Sequence, residues 1–534
     1  MRRLTVRALI ATTIATFGSA GLLATPVTAV AQGAPVRYTA RQFFETTSYS
    51  MPSSAAYAFS ADGRNLLVSS DRSGVFNGFL LPVKGGGPAP VTSSTRNATF
   101  AVSFFPADDR LLYTSDEGGN ELNHIYVRER DGKVRDLTPG ERLKADFLGW
   151  SADGRQFFVT TNERNPEMFD IYAYNSTSYD RTLLFKNEGF IPVAISRDGR
   201  WVALIKAQSS ANNDIYVADT RSGGAPRLAT EHKGNIEYAV YSFSSDSRSL
   251  TYGTNEHGEF TQAWTYDIAS SERRPMIQAD WDVLFVIYSP SGRYRVHGVN
   301  ADASTELSII DTRTGKPVRL TAVPAGNLGQ VRFSRDERTI AFTVSSDTSP
   351  ADIFVADLAT GQARRLTHAL NPAIDEKQLM QGRVVRFRSY DGREIPGILY
   401  RPREASAANA VPGVVFVHGG PGDQSGRGYS ATIQHLVNNG YAVFAINNRG
   451  SSGYGKTFYH LDDRKHGDVD LKDVIASRDW LASQDWISDR IAVMGGSYGG
   501  FMTAAALAFY PETFDAGIDI FGVTNWVRTL ESIP

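Results

Sequence analysis

Gly495-Gly496-Ser497-Tyr498-Gly499 is a G-x-S-x-G sequence that lies between two apolar runs, residues 491–494 before it and residues 501–507 after it. The order of these three stretches is typical of a strand, a sharp turn and a helix. Small residues on both sides relieve the crowding at such a turn, which presents the serine Oγ at the carboxyl end of a sheet. A glycine-rich turn that contains serine by chance is the alternative. The flanking strand and helix favour a nucleophile elbow, with Ser497 as its serine.

The region around the elbow alternates between predicted strands and predicted helices. A hairpin is expected over residues 384–400, and the strands and helices expected after it are residues 414–417, 431–438, 441–446, 468–483, 491–494 and 516–520. This alternation indicates a mostly parallel sheet with helices on its faces. The sequence therefore predicts an α/β domain over residues 371–534.

Seven copies of one short motif precede this domain. In each copy an aromatic or apolar residue comes before Ser or Pro, a turn dipeptide follows, and the Ser or Pro residues are Ser60, Pro106, Ser151, Ser196, Ser244, Ser289 and Ser334. The copies are 45 to 48 residues apart, and each unit contains several strand-like runs. Four short strands in a repeat of this length are typical of a β-propeller blade. A solenoid would also stack the repeats, but a ring protects the sheet edges. We therefore predict an all-β, seven-bladed β-propeller over residues 50–370.

The first residues have the pattern of a secretory signal peptide over residues 1–31. Arg2, Arg3 and Arg7 form a basic start, an apolar stretch follows, and Ala29-Val30-Ala31 offers a small-residue cleavage site. An uncleaved membrane anchor is the alternative, but Thr and Ser residues interrupt the apolar stretch. The sequence thus predicts export to the periplasm or the extracellular space. No stable membrane span is expected after cleavage.

Charge and composition exclude several classes of function. The 55 basic and 57 acidic residues give a formal net charge of −2, which disfavours nucleic acid as a partner. The chain contains no cysteine, so disulfides, cysteine nucleophiles and thiolate metal sites are excluded. No cofactor and no metal are expected.

Three motifs in order make the chain resemble the prolyl oligopeptidase family of serine peptidases. They are His418-Gly419-Gly420-Pro421, the stretch from Asn448-Arg449-Gly450 to Tyr454-Gly455, and Gly495-Gly496-Ser497-Tyr498-Gly499. The resemblance implies a propeller followed by an α/β-hydrolase domain. It implies that Ser497 is the nucleophile, and that the Tyr454 hydroxyl and the Tyr498 amide form the oxyanion hole. His418 is not the family's base.

The resemblance further implies that the propeller screens access to the site, so that short peptides are the substrates. Exported relatives of this type include dipeptidyl-peptidase-like and acylaminoacyl-peptidase-like enzymes. Two carboxylates of the propeller, Glu117 and Glu121, could receive the amine of a substrate. A solvated loop is the alternative for them, and charge clusters favour it.

The chain departs from the family pattern after the nucleophile. The acid and the histidine of an α/β-hydrolase triad follow the serine in sequence, but no histidine follows Ser497. Asp515 and Asp519 flank or lie in a predicted strand and are poor candidates for the acid. The triad Asp and His are therefore absent from this chain, and the hydrolase domain is expected to be incomplete. Two interpretations stay open: a portion of a longer peptidase, or a catalytically incompetent, propeller-based binding protein.

Overall fold

A computed structural model describes residues 36–209 and 211–532 of the chain. The predicted signal peptide lies outside the described residues. Within these two ranges, none of the helices has both the length and the apolar character that a membrane crossing requires.

Seven antiparallel sheets of four strands each form the first part of the described chain, which confirms the predicted seven-bladed propeller. Each blade consists of four strands that are consecutive in sequence. The strands of the first four blades are β1 (Tyr49–Ser50), β2 (Asn65–Ser70), β3 (Asn77–Pro82), β4 (Ala89–Pro90), β5 (Thr99–Phe104), β6 (Leu111–Ser115), β7 (His124–Arg128), β8 (Val134–Asp136), β9 (Ala145–Trp150), β10 (Gln156–Asn165), β11 (Met168–Asn175), β12 (Arg181–Phe185), β13 (Ile191–Ile195), β14 (Trp201–Ser209), β15 (Asn212–Asp219) and β16 (Arg227–Leu228). Those of the last three blades are β17 (Tyr238–Phe243), β18 (Ser249–Thr254), β19 (Gln262–Asp267), β20 (Arg273–Ile277), β21 (Asp282–Tyr288), β22 (Tyr294–Ala301), β23 (Ser304–Asp311), β24 (Lys316–Pro317), β25 (Asn327–Phe333), β26 (Thr339–Ser346), β27 (Ser349–Asp357) and β28 (Ala363–Arg365).

The repeated motif forms the turn between the first and second strands of each blade. In most copies the serine hydroxyl donates to the aspartate two residues later, at 2.7 Å from Ser60 to Asp62 and 2.6 Å from Ser196 to Asp198. The aspartate in turn accepts the N–H of the residue two positions further on, Arg64 in the first copy. Such local side-chain bonds stabilise a tight turn. The motif is thus explained by turn geometry.

Apolar packing between the last and first blades closes the ring. Ala341, Ile353 and Val355 of the seventh blade share one buried cluster with Leu66 and Val68 of the first. Nearby, the N–H of Thr47 donates to the carbonyl of Ala369 at 2.8 Å. Closure leaves no open first or last blade, which protects the sheet edges.

The second part of the structure is a six-stranded sheet with the order β29-β30-β32-β31-β33-β34. Its strands are β29 (Arg383–Arg388), β30 (Glu394–Tyr400), β31 (Val411–Val417), β32 (Ala442–Ile446), β33 (Ile487–Gly496) and β34 (Ala516–Ile520). The first two are antiparallel and the last four run parallel. The predicted hairpin and parallel strands are therefore confirmed.

The helices are α1 (Ala40–Phe44), α2 (Ala431–Asn438), α3 (Lys456–Tyr459), α4 (Val469–Ala482), α5 (Tyr498–Phe509) and α6 (Trp526–Ser532). α4 and α5 pack on one side of the sheet, where Leu471, Val474 and Met502 join the core with the strand residues Val415 and Val493. α2 covers the other side through Ile433 and Val437. Because the parallel strands all end at the same edge, the loops that follow them meet there.

The segment before the propeller packs on the α/β domain. The N–H of Tyr38 donates to Asn438 Oδ1 at 2.8 Å, and the hydroxyl of Tyr429 donates to the carbonyl of Phe43 at 3.2 Å. Phe43 is fully buried. The α/β domain therefore includes residues from both sides of the propeller.

The propeller contacts the α/β domain through turns between second and third strands. These turns lie at the opposite end of each blade from the repeated motif. Asp302 of the β22–β23 turn accepts from Arg386 Nη2 at 2.8 Å. Asp347 of the β26–β27 turn is buried, and it accepts from Arg427 Nη2 at 2.7 Å and from the hydroxyl of Tyr400 at 3.0 Å. The repeated turns thus lie at the end of the propeller away from the α/β domain.

The last strand leaves an apolar edge exposed. The first four residues of β34 are exposed and the fifth is half-buried. Phe521 is 81% exposed, and Val527 and Leu530 on α6 are 70% and 64% exposed. Parallel strands are normally covered on both faces, so the exposure of β34 departs from the usual pattern. The surface formed by Ile518, Phe521, Val527 and Leu530 is called the β34 edge below.

Candidate active site

Ser497 forms the turn between β33 and α5, at the edge where the parallel strands end. Its backbone has φ 55° and ψ −120°, a combination that non-glycine residues rarely adopt and that is common at functional sites. The side chain is exposed, and its hydroxyl does not cap α5. Its N–H donates to the carbonyl of Ile520 at 3.1 Å, and its own carbonyl accepts from Phe501 at 3.1 Å. The fold therefore holds a strained turn that presents the hydroxyl to solvent.

Two glycines of the motif allow the close approach of β31. A Cβ at Gly499 would lie 2.2 Å from the carbonyl oxygen of Val417, and a Cβ at Gly495 would lie 2.7 Å from the same oxygen. Any side chain at these positions would push the elbow away from the sheet. The spacing of the G-x-S-x-G sequence is thus explained by packing.

The side chain of Tyr498 points into the protein while its amide lies at the start of α5. The residue is 2% exposed, and its hydroxyl donates to Asp470 Oδ2. Asp470 Oδ1 accepts the N–H groups of Gly467 at 2.8 Å and Leu471 at 2.9 Å. The Tyr498 N–H belongs to the first turn of a helix, where no helix carbonyl is available to accept it. The sequence identified the amide but missed Asp470, whose only signal was its place in the first turn of a predicted helix.

Asp462 and His466 complete a small cluster behind Tyr498. One ligand atom from each of Asp462, His466 and Asp470 lies within 4.8 Å of the others, and His466 Nδ1 is 3.0 Å from Asp462 Oδ2. Such a set of donors could hold a cation. However, Asp470 already accepts from Tyr498, Gly467 and Leu471. The arrangement therefore fits a support for Tyr498 better than a metal centre.

The Asp462 carboxyl makes folding stability depend on pH. Burial raises its pKa to about 6, with His466 opposing the shift and Asp470 adding to it. Because the folded-state pKa exceeds that of the unfolded chain, its favourable contribution is complete below about pH 4 and is lost as pH rises through about 6. Asp462→Asn is expected to remove roughly 1–3 kcal/mol of the change in unfolding free energy across that range. Denaturant unfolding at a series of pH values measures this change.

Asp489→Asn is the matched control, because Asp489 is an exposed aspartate on β33. It should leave the pH dependence of the wild type unchanged. If the unfolding free energies of the wild type and Asp462→Asn change with pH in the same way, the prediction is wrong.

Tyr454 lies on the loop that follows β32, two strand positions away from the elbow. Its hydroxyl accepts from Asn447 Nδ2 at 3.0 Å. Its ring lies 6.1 Å from the ring of Trp281 and 5.7 Å from that of Phe458, measured between centroids. Burial raises the pKa of Tyr454, so its hydroxyl stays a donor at neutral pH.

One turn of the propeller binds the loop that carries Tyr454. This turn joins β18 to β19 and contains Glu259. The Glu259 carboxylate accepts the N–H of Thr457 at 2.8 Å and its hydroxyl at 2.9 Å, and the Glu259 carbonyl accepts the N–H of Lys456 at 2.7 Å. Together with Trp281, this turn fixes the loop that carries the predicted oxyanion donor. Sequence reasoning missed both propeller residues, because nothing local to them indicates a contact with a loop far along the chain.

The histidines of the α/β domain bond to groups other than Ser497. His418 is buried, with Nε2 2.7 Å from Ser451 Oγ and Nδ1 2.7 Å from the carbonyl of Gly419, and burial lowers its pKa. His460 and His466 face Asp463 and Asp462 at 2.9 and 3.0 Å. Within residues 36–209 and 211–532, no histidine is hydrogen-bonded to the elbow serine.

Glu117 and Glu121 lie on the β6–β7 turn, at the end of the propeller that faces the α/β domain. Both are exposed. The N–H of Glu121 donates to Asp116 Oδ2 at 3.0 Å, and that of Glu117 to Asn120 Oδ1 at 3.3 Å. These bonds shape the turn and leave the carboxylates directed to solvent. A role in binding a substrate amine stays a prediction.

Comparison with known proteins agrees with the fold and with the motifs. The model of "Prolyl oligopeptidase, N-terminal beta-propeller domain" matches residues 96–369, and that of "Prolyl oligopeptidase family" matches residues 427–533. Dipeptidyl aminopeptidase BIII of Pseudoxanthomonas mexicana is 29% identical over 499 residues, which cover 90% of this chain and 72% of the relative. Dipeptidyl peptidase family member 6 of Caenorhabditis elegans is 24% identical over 528 residues, which cover 90% of this chain and 71% of the relative.

Solved structures show the same architecture. A Mycobacterium tuberculosis puromycin-hydrolyzing peptidase superposes with a TM-score of 0.76 at 19% identity, covering 93% of this chain and 80% of the other. The second part of the structure is accordingly an α/β-hydrolase domain. With two family models matched in order, one on each part of the structure, the chain belongs to the prolyl oligopeptidase family.

Proposed function

We propose that this protein is a serine peptidase that hydrolyses short peptides through an acyl-enzyme on Ser497. The observation that carries the proposal is the exposed Ser497 at positive φ on the β33–α5 turn. In the first step Ser497 Oγ attacks the carbonyl carbon of the scissile bond while a base accepts the hydroxyl proton. The base then protonates the leaving amine. Water releases the acyl group in the second step.

The negative charge that develops on the carbonyl oxygen would be stabilised by two donors. One is the Tyr498 N–H, in the first turn of α5, where the helix dipole also favours negative charge. The other is the Tyr454 hydroxyl, which the raised pKa of Tyr454 keeps protonated. Preorganised donors of this kind supply much of the rate enhancement in acyl transfer.

Tyr454→Phe is expected to lower kcat by roughly 10²–10³-fold with little change in KM, because one oxyanion donor is lost and the ring contacts remain. Steady-state hydrolysis of a chromogenic dipeptide substrate measures both constants. Tyr441→Phe, which alters a tyrosine that is 40% exposed and outside the loop, is the control. A kcat for Tyr454→Phe equal to that of the control would contradict the assignment.

The base and the acid would come from polypeptide that covers the β34 edge. Two observations support this part of the proposal. The strand is exposed where a parallel strand is normally buried, and the four described histidines of the α/β domain bond to groups other than Ser497. Phe521 of this edge lies next to the elbow, since a Cβ at Gly496 would lie 3.6 Å from its ring. A group attached at this edge would therefore reach Ser497.

The propeller would restrict access to the site, so that short peptides rather than folded proteins are cleaved. The contacts of Glu259 and Trp281 with the Tyr454 loop support this, because they join the propeller to a loop at the edge where the parallel strands end. The names of the relatives, dipeptidyl aminopeptidase and acylamino-acid-releasing enzyme, favour the N-terminal part of a peptide as the cleaved region. Export remains a proposal from the pattern of residues 1–31.

A fluorophosphonate probe tests the proposed function. Covalent capture, together with hydrolysis of dipeptidyl or acylaminoacyl chromogenic substrates, supports a peptidase. Peptide binding without capture or turnover would favour the alternative, a propeller-based binding protein. Hydrolysis of short-chain esters with no activity on any peptide substrate would also overturn the proposal.

A further inference from the structure

A cavity of about 340 Å³ lies in the centre of the propeller. Its wall comes from the innermost strands and the adjoining repeated turns of six of the seven blades. The repeated turns lie at the end of the propeller away from the hydrolase domain. The cavity is therefore a separate feature of the molecule and no part of the site at Ser497.

The charge on the cavity wall has one sign. Arg197 and Arg332 line the cavity, and none of the lining residues is acidic. Arg335 lies nearby, with its guanidinium centre 4.9 Å from the ring of Tyr57, another lining residue, but the carboxylates of Asp108 and Asp109 act on it electrostatically. Among residues 36–209 and 211–532, the recorded hydrogen-bond partners of these three arginines are backbone carbonyl groups, namely those of Pro52, Phe105, Pro106, Pro290 and Val331.

Guanidinium groups on a cavity wall without acidic residues favour the binding of an anion. Arginine stays protonated in proteins, and a buried charge without a counter-charge is costly. Burial lowers the pKa of Arg332 to about 10, and no carboxylate opposes that effect. Carbonyl dipoles satisfy some N–H donors but supply no net negative charge. A carboxylate would supply that charge and also match the planar donor geometry of a guanidinium.

The rest of the wall combines aromatic and aliphatic side chains with five serines, Ser53, Ser54, Ser242, Ser245 and Ser289. Phe147, Trp150, Tyr241, Ile287, Tyr288 and Phe333 surround the same space. A volume of this size, lined by apolar side chains with a few placed polar groups, is typical of a small-molecule site. We propose that this cavity in the propeller binds a small carboxylate with an aromatic or aliphatic body. Arg197 and Arg332 hold the carboxylate, and the aromatic wall holds the body.

Phenylacetate is a suitable probe, and phenylacetamide is its uncharged match. Ligand binding to the folded state raises the melting temperature in a saturable way. Thermal unfolding of the full chain is followed over a range of probe concentrations at constant ionic strength. We expect a saturable rise with phenylacetate and a much smaller one with phenylacetamide. Equal shifts with both compounds, or no saturable shift, would overturn the proposal.

Variants locate the site. Arg332→Gln and, separately, Arg197→Gln are expected to weaken phenylacetate binding roughly 10- to 100-fold, because a charge-assisted hydrogen bond is lost. Arg197→Gln keeps the test valid if Arg332→Gln does not fold, since Arg197 lies on another blade and bonds to a different carbonyl, that of Pro290. Arg64→Gln is the matched control, because it changes a propeller arginine whose side chain is 81% exposed. Wild-type affinity in Arg197→Gln would overturn the proposal.

Inorganic phosphate separates a carboxylate site from a general anion site. Phosphate carries charge without an apolar body. If phosphate raises the melting temperature less than phenylacetate does at equal concentration, the proposed ligand class is supported. A shift as large as that with phenylacetate would overturn the role assigned to the aromatic wall.

Discussion

Ser497→Ala is expected to abolish capture by a fluorophosphonate probe and to lower kcat on peptide substrates by roughly 10⁶-fold. The hydroxyl is the attacking group, and no neighbouring side chain on the strained turn can replace it. The elbow itself should persist, because its backbone bonds to Ile520 and Phe501 do not involve the side chain. Probe labelling and burst kinetics measure the loss. The melting temperature should stay close to that of the wild type.

Ser93→Ala is the control, since Ser93 is an exposed propeller serine. It should label and turn over as the wild type does. Undiminished labelling of Ser497→Ala would show that another residue reacts with the probe, and the proposed nucleophile would then be wrong.

Asp347→Ala is expected to lower the free energy of unfolding by about 3–5 kcal/mol, because it leaves the Arg427 guanidinium without its buried partner. The Asp347 carboxylate also accepts the N–H groups of Gly382 and Gly428, each at 3.1 Å, and the hydroxyl of Tyr400 at 3.0 Å. All these donors belong to the hydrolase domain, whereas Asp347 belongs to the propeller. Denaturant unfolding followed by tryptophan fluorescence measures the loss.

Two further variants test the reason for this effect. Asp347→Asn keeps the shape but not the charge, so it should fall between the wild type and Asp347→Ala. Asp489→Ala removes an exposed aspartate from β33 and should stay within about 0.5 kcal/mol of the wild type. An Asp347→Ala variant as stable as Asp489→Ala would contradict the view that this carboxylate joins the two domains.

The fold could be predicted from the sequence where local chemistry repeats. The turn from Ser60 to Arg64 carries its own hydrogen bonds, so seven copies of it specify seven blades. The elbow was also predictable, because the residues that specify the strand, the turn and the helix follow one another directly in the sequence. Gly499 illustrates this, since its contact with Val417 explains why the motif needs glycine there.

The support of the site could not be predicted, because it depends on contacts between distant parts of the chain. Glu259 binds Thr457 across 198 residues of sequence, and Asp470 accepts from a tyrosine 28 residues later. Neither acidic residue belongs to a recognisable motif. The position of Arg332 on the cavity wall was hidden for the same reason: the sequence predicts its strand, but not which residues of the other blades line the cavity with it.

The packing of Phe43 against the hydrolase domain affects how the protein is made. The carbonyl of Phe43 accepts from Tyr429, which is 386 residues later in the chain. At about 5–20 residues per second, a ribosome needs roughly 20–80 s to synthesise that interval. Phe43 shares one buried cluster with Ile374, Leu379 and Tyr429, so the complete cluster cannot form until the whole propeller has been synthesised. The N-terminal segment therefore completes its docking only after the last blade and α2 are available.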